Sequence, residues 1–499
     1  MKTSLKKKLS SFEKLTNRWN LLILIILLVA LILRIYRIGE ILDFHYDQGR
    51  DAMVIWNLWH QGKLFLIGPV TGLPGIFLGP FYYYLIAPFY LISGGNPAIP
   101  SIFLSVLVVT SLYILYLTGK EIGGKKLGLI ALLIGVFSYY LIMSSRWLSN
   151  PTPIYLTSIL IFYFFVKIIR SKTPNPICWY LAYLLVGVSL HFESASAAFY
   201  IPALLAFTVW NRKKMTFKSH IISSLLLFFT FIPQLIFNFR HDNILLNNLI
   251  TEFSGRQNFP SDFTIQIISR FKTFWDVFSN KIFYSNRLIA GIFSIISATG
   301  LYLYSKDEEN KNLLKLFLLF LGISAICYLI YQGNYGNLYD YYFTGYYLIL
   351  ILLFSVGLWR IAQLRRFGNI ILISFFILFS FFNLPPTINK LTDGVYEGNN
   401  IYLTTQLSAI SWIYEDTKEI PFNVDIYVPP VIPYSYDYLF IYVGDKRSQN
   451  LTKRLYTLYE IDPPHPERLE AWLKRQEGIG TVQSEMKFGG IVVQKRERK

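Results

Sequence analysis

The chain has 499 residues, of which 53% are hydrophobic, 17% aromatic and only 15% charged, with a formal net charge of +17. A soluble protein carries about a quarter charged residues, so an ordinary water-soluble globule is excluded. Apolar stretches of about 18 to 22 residues recur down to residue 384, each long enough for a hydrocarbon core of about 30 Å. The excess positive charge therefore belongs to the cytoplasmic loops of a polytopic membrane protein, not to a nucleic-acid surface.

The chain opens on MKTSLKKKLSSFEKLTNRWN, which looks like the charged start of a signal peptide. The apolar run behind it is long and ends in bulky RIYRI with no small-residue cleavage site, so it is read as a retained helix. Spans are expected at 20–37, 98–118, 128–145, 152–169, 177–192, 195–211, 220–238, 288–304, 312–331, 341–360 and 368–384. The stretch IFLGPFYYYLIAPFYLIS (76–93) decides the topology. If it does not cross, KEIGGKK, KIIRSK, NRKKMTFK, SKDEENKNLLK and RIAQLRR all share the side of the basic N-terminus, as the positive-inside rule demands. Its interior prolines also make it a poor straight span. The expectation is a mainly α membrane helix bundle of about eleven spans, N-terminus in and C-terminus out, with a large first external loop at 38–97.

The bundle is expected to end at 384, and 385–499 to form a small soluble external α+β domain. NVDIYVPPVIPYSYDYLFIYVG alternates and is rich in Tyr, Val and Ile, as strands are. PERLEAWLKRQEG reads as an amphipathic helix, and FGGIVVQKRERK as a last short strand with a basic tail. Cys178 and Cys327 lie inside apolar runs and give no disulfide framework.

Nearly all the polar residues with chemical promise fall on the external face. FHYDQGRDA (44–52) packs His45, Asp47, Gln48, Arg50 and Asp51 at the exit of the first span. In a helix starting there, Asp47 and Asp51 share a face, and Ala52, Ile55, Trp56 and Trp59 form an apolar stripe suited to the lipid interface. Asp47 could equally be a plain helix cap. Arg146 and Asn150 sit in RWLSNPT, where an outer-end arginine suits a phosphate or simply snorkels. His191 and Glu193, two residues apart between spans, could bind a metal, orient a substrate or cap the turn. Arg240 and His241 end another span outside. Asp340, with Tyr339, Tyr341 and Tyr342, reads as an interfacial girdle. No phosphate-binding P-loop, dinucleotide glycine fingerprint, HExxH or Ser/His/Asp signature stands in a fitting context.

HYDQGRDA (45–52), GIFLGPFYYYL (75–85), RWLSNP (146–151), LHFES (190–194) and IPQLIFNFRHD (232–242), in this order along a polytopic chain, resemble the GT-C glycosyltransferases. Within them the chain looks most like the branch of protein O-mannosyltransferases and the lipid A aminoarabinose transferase. The resemblance implies transfer of a sugar from a polyprenyl-phosphate donor, on the outer face of the plasma membrane, to a protein, lipid or wall-glycan acceptor. It maps the aspartate of the family's first external loop onto Asp47. A divalent metal is an open cofactor, with Asp47, His191 and Glu193 as candidate ligands. Gln48 and Asn150 stand where the family often has acids, and His191 where it often has lysine.

The chemistry of the residues agrees. A lipid phosphate is a fair leaving group, so one carboxylate placed as general base suffices. Asp47 is that base; Arg50, Arg146 and Arg240 are phosphate-binding candidates, and His45, Gln48, Asp51, Asn150, His191, Glu193 and His241 are candidates to orient substrate. Anionic lipids of the inner leaflet suit the basic loops. A flippase or transporter would place ionisable groups at mid-membrane, and a non-catalytic scaffold would leave the HYDQGRD cluster without a purpose.

Overall fold

The computed structural model describes residues 18–173, 175–254, 263–331, 336–418, 420–429 and 432–499. The basic segment 1–17 and positions 333–335 of the GNYGNLYDYY stretch lie outside them. The first half of the chain forms α1 (Arg18–Ile35), α2 (Tyr46–Gln61), α3 (Phe81–Ile92), α4 (Ala98–Gly123), α5 (Lys125–Phe137), α6 (Tyr139–Ser145), α7 (Ile154–Arg170) and α8 (Pro176–Ser189). Then follow α9 (Ser194–Ala197), α10 (Tyr200–Trp210), α11 (Phe217–Phe229), α12 (Ile232–Arg240), α13 (Ile244–Ser254), α14 (Phe263–Ile282), α15 (Arg287–Ser305) and α16 (Glu308–Ile330). A 3-10 turn, Asp340–Tyr346, leads into α17 (Tyr347–Ala362) and α18 (Arg365–Thr392).

Every expected span coincides with helix. Six helical stretches are long and apolar enough to cross a membrane, and up to eight if the bent pairs α5–α6 (66°) and α11–α12 (50°) each count as one, among the described residues. The 76–93 stretch yields only α3, whose 12 residues rise about 18 Å, short of a hydrocarbon core. The α5–α6 break is a supported one. Ser138 donates from Oγ to the Lys281 carbonyl (2.7 Å), and Asn383 accepts from the Tyr139 N–H (3.0 Å) while donating to the Ile282 carbonyl (2.9 Å). A broken helix at membrane depth needs such partners for its freed backbone groups.

The composition changes at Pro385, but the helix does not. α18 runs through Pro385 and Pro386 to Thr392. Its far end is held by Arg37 Nη1, which donates to the carbonyls of Leu391 (3.0 Å) and Asp393 (3.1 Å). Beyond it come α19 (Leu403–Thr417), β1 (Phe422–Tyr427), α20 (Tyr434–Tyr442), β2 (Arg454–Glu460), α21 (Pro466–Ile479), β3 (Gly480–Phe488) and β4 (Ile491–Arg498). The sheet order is β1-β2-β4-β3, with β1 parallel to β2 and the other pairs antiparallel. The helix at PERLEAWLKRQEG and the closing strand stand as expected. The expectation of strand fails over YSYDYLFIY, which is helix α20. Its Tyr436, Tyr438, Leu439 and Phe440 are all buried, and burial of this kind overrides the preference of aromatic residues for strands.

The apolar residues form two large cores. One lies inside the helix bundle. The other joins Phe44, Ala52 and Ile55 of the 38–97 segment and Tyr82, Tyr83 and Ile86 of α3 to Tyr436, Tyr438, Leu458 and Val493 of the C-terminal part. The apolar stripe of α2 is therefore covered by protein over Ala52, Ile55 and much of Trp56, while Trp59 at its far end is 42% exposed. Ala52 and Ile55 are fully buried, and Trp56 meets Tyr438 edge-on at 6.2 Å.

Candidate active site

Helix α2 begins at His45, whose extended backbone makes it the N-cap. Gln48, four residues into the motif, turns back and accepts from the His45 N–H (3.0 Å). Asp47 is thus not the cap but sits in the first turn, its side chain free to face outward. It is 54% exposed and ion-paired to Arg50 Nη1 at 2.8 Å. Arg50 is fixed from behind by the buried Asp51, whose Oδ1 accepts from Nη2 (2.8 Å) and Nε (3.0 Å) and from the Tyr83 hydroxyl (3.1 Å). Burial pushes the Asp51 carboxyl up to about 6 against the pull of Arg50. Burial alone would lower the Arg50 guanidinium, but Asp51 and Asp47 outweigh it and hold it above its ordinary value.

A cavity of about 570 Å³ opens in front of this chain of charges. It brings together Asp47 and Arg50 of α2, Asn150 of the RWLSNPT stretch and Glu193 of the HFES turn. Volumes of this size suit a small-molecule substrate. Asn150 donates from Nδ2 to the Phe192 carbonyl at 2.6 Å, tying the two loops together. Glu193 caps the short α9: its carboxylate accepts from the Ser196 N–H at 2.7 Å, from the Ala195 N–H and from the Ser196 hydroxyl. Burial pushes it up to about 7, and these donors pull the other way.

The remaining candidates are placed elsewhere. Arg146 is buried and donates from Nη1 to the carbonyls of Arg34 (3.0 Å) and Leu33 (3.3 Å), neutralising the C-terminal end of α1. His191 accepts at Nδ1 from the Phe81 N–H (3.4 Å), so Nε2 is the protonated nitrogen that donates to the Thr230 carbonyl (2.9 Å). It is a staple between three segments. Arg240 and His241 are exposed at the end of α12, with His241 stacked on Phe237 at 4.1 Å, and neither lines the cavity.

The cavity also takes residues that the motifs do not single out. Tyr341 and Tyr342, expected as a membrane girdle, form part of its wall beside Tyr331, Trp147 and Glu252. Asp340 just before them pairs with the buried Lys281 at 2.7 Å, and Lys281 lies over the ring of Tyr140 at 3.1 Å. An aspartate in a run of tyrosines was the available signal for Tyr341 and Tyr342; nothing around Glu252 distinguishes it.

The donor set does not fit a resident metal. Both nitrogens of His191 and both oxygens of Glu193 are engaged by protein groups, and no group of three His, Cys, Asp or Glu stands close enough to hold an ion among the described residues.

The family model described as dolichyl-phosphate-mannose-protein mannosyltransferase matches residues 78–237. No curated protein sequence matches the chain. Among solved structures, ArnT from Cupriavidus metallidurans bound to undecaprenyl phosphate is 11% identical, with 96% of this chain and 98% of that one covered at a TM-score of 0.56. The same enzyme in its apo state gives 0.55, with 11% identity and coverages of 96% and 97%. The Archaeoglobus fulgidus oligosaccharyltransferase in complex with zinc and sulfate gives 0.53, with 13% identity and coverages of 92% and 71%. The family match and the fold agree with the resemblance carried by the motifs: this is an integral membrane protein with the fold of the GT-C glycosyltransferases.

Proposed function

We propose that this protein transfers a sugar from a polyprenyl-phosphate donor to an acceptor on the outer face of the plasma membrane, with inversion at the anomeric carbon and Asp47 as general base. The observation that carries this reading is the cavity in which an outward-facing Asp47, oriented by Arg50 and through it by Asp51, meets Asn150 and Glu193 from two other loops. In the step, the acceptor oxygen attacks the anomeric carbon while Asp47 takes its proton. The bond from that carbon to the phosphate oxygen breaks, and its electron pair leaves with the lipid phosphate. Arg50 donates to the phosphate as its charge grows.

The tyrosine and tryptophan wall suits a sugar face, and the acceptor is a protein, lipid or wall glycan. The matched structures, one bearing undecaprenyl phosphate, support a polyprenyl carrier. The shortness of α3 and the shared side of the basic connections support eleven crossings with the site outside. The test is transfer of radiolabelled sugar from polyprenyl-phosphate donors in membranes carrying wild type or Asp47→Asn, with and without EDTA. Label reaches an acceptor with wild type, EDTA leaves the rate unchanged, and the variant falls by about 10² or more. Near-wild-type transfer by Asp47→Asn would remove the base. No transfer by folded protein from any donor would turn the reading to a lipid flippase or a scaffold.

A further inference from the structure

A second cavity, of about 1030 Å³, lies far from the motif loops at the basic end of the bundle. One wall is a single stripe of α5: Lys126, Leu129, Ile130 and Leu133. The opposite wall is a stripe of α18, running from Arg366 through Asn369 and Leu372 to Phe376, and Trp359 and Ala362 of α17, with Gln363 just past its end, complete the lining. Both stripes follow helical spacing, so both change character at the same depth. The mouth is cationic and carboxamide-lined; the interior is aliphatic and aromatic.

The charge at the mouth is not neutralised by the protein. No acid lines the cavity, and neither Lys126 nor Arg366 has a carboxylate partner among the described residues. The acids of this end are used elsewhere: Glu121 by Lys167 (3.4 Å), Asp307 by Arg360 (3.1 Å) and Glu308 by Lys311 (2.5 Å). Glu309 stands on α16, which contributes nothing to the walls.

We infer that this groove is a binding site for one anionic phospholipid of the leaflet facing the basic loops. Its phosphate sits between Lys126 and Arg366, within reach of the Gln363 and Asn369 carboxamides, and an acyl chain lies along Leu129, Leu133, Leu372 and Phe376. Two unpaired cations over a groove of matching polarity favour a headgroup of net negative charge over a zwitterionic one. The site is independent of the sugar-transfer reading.

The experiment is native mass spectrometry of the full chain in a non-ionic detergent, titrated with phosphatidylglycerol or phosphatidylcholine. The variants are Lys126→Ala/Arg366→Ala, Leu133→Trp, which fills the groove with its charge intact, and Lys213→Ala/Lys218→Ala as a charge-matched control outside it. Wild type retains one phosphatidylglycerol, and the first two variants weaken it about tenfold or more while the control does not. Inorganic phosphate fails to displace the lipid, and phosphatidylcholine binds wild type no better than phosphatidylglycerol binds the double variant. Equal retention by wild type and Leu133→Trp, equal binding of the two lipids to wild type, or displacement by inorganic phosphate would each overturn the inference. The wild-type lipid comparison stands even where a variant fails to fold.

Discussion

Gly49→Ala is the sharpest test of how the motif helix is built. On an exposed helix this change stabilises by up to about 1 kcal/mol, because alanine restricts the unfolded backbone and glycine does not. Gly49 lies in α2, but a methyl group there would overlap the backbone of Tyr434 and Ser435 at the start of α20. The atoms in the way are main-chain atoms in a shared core, so no side chain can rotate aside. Pushing α20 away also disturbs the contact of Tyr46 with Tyr434, whose rings lie 4.9 Å apart. Overpacking of this kind costs about 1–3 kcal/mol, so the net effect is a loss despite the gain in helix propensity. Because Asp47 and Arg50 flank Gly49, a shift of about 1 Å would lower the transfer rate by about 10². The assays are thermal unfolding in detergent and sugar transfer in membranes. An alanine variant as stable and as active as wild type would refute the claim that the C-terminal part seats the motif helix.

Asp51→Ala leaves the Tyr83 hydroxyl and most of Arg50 without their acceptor; a loss of about 2–4 kcal/mol and a fall in kcat exceeding the rise in KM are expected, with Tyr83→Phe milder in both. Steady-state kinetics and melts of the two variants check this. Glu193 has a folded pKa of about 7 against an ordinary 4.5, so the native state holds a proton that the unfolded chain has lost. Stability should therefore be highest below about pH 4.5 as far as this group is concerned, and should fall as pH rises to about 7, by about 3 kcal/mol in all. Melts from pH 5 to 8 should show that slope in wild type and a flatter one in Glu193→Gln. Lys281→Met strands Asp340 and should cost about 3 kcal/mol, whereas Lys281→Met/Asp340→Leu should recover most of it; equal instability of both variants would show that the pair itself is not the issue.

Much of this protein was legible in its sequence, because a bilayer reduces the problem to length and hydropathy. The apolar stretches announced helices and each is helical, three of them broken into two helices. The motif at 44–52 announced a helix start with chemistry on it, and Asp47 and Arg50 do face a cavity. Asn150 and Glu193, which the same reasoning singles out as polar residues at the ends of apolar runs, line that cavity too.

Tertiary structure decided what each polar residue is for. Spacing shows that Asp47 and Asp51 share a helix face, but only packing against Tyr83 buries one and leaves the other open. Arg146 and His191 look like ligands in a linear reading, and become braces once Arg34 and Leu33, or Phe81 and Thr230, arrive beside them from distant parts of the chain. The apolar stripe of α2 reads equally well against lipid or protein, since hydrophobic burial carries no direction. YSYDYLFIY reads as strand until burial makes it helix α20. The physical reason is common to all of these. Local sequence sets which groups must be satisfied, and contacts between residues tens to hundreds of positions apart set which partners satisfy them.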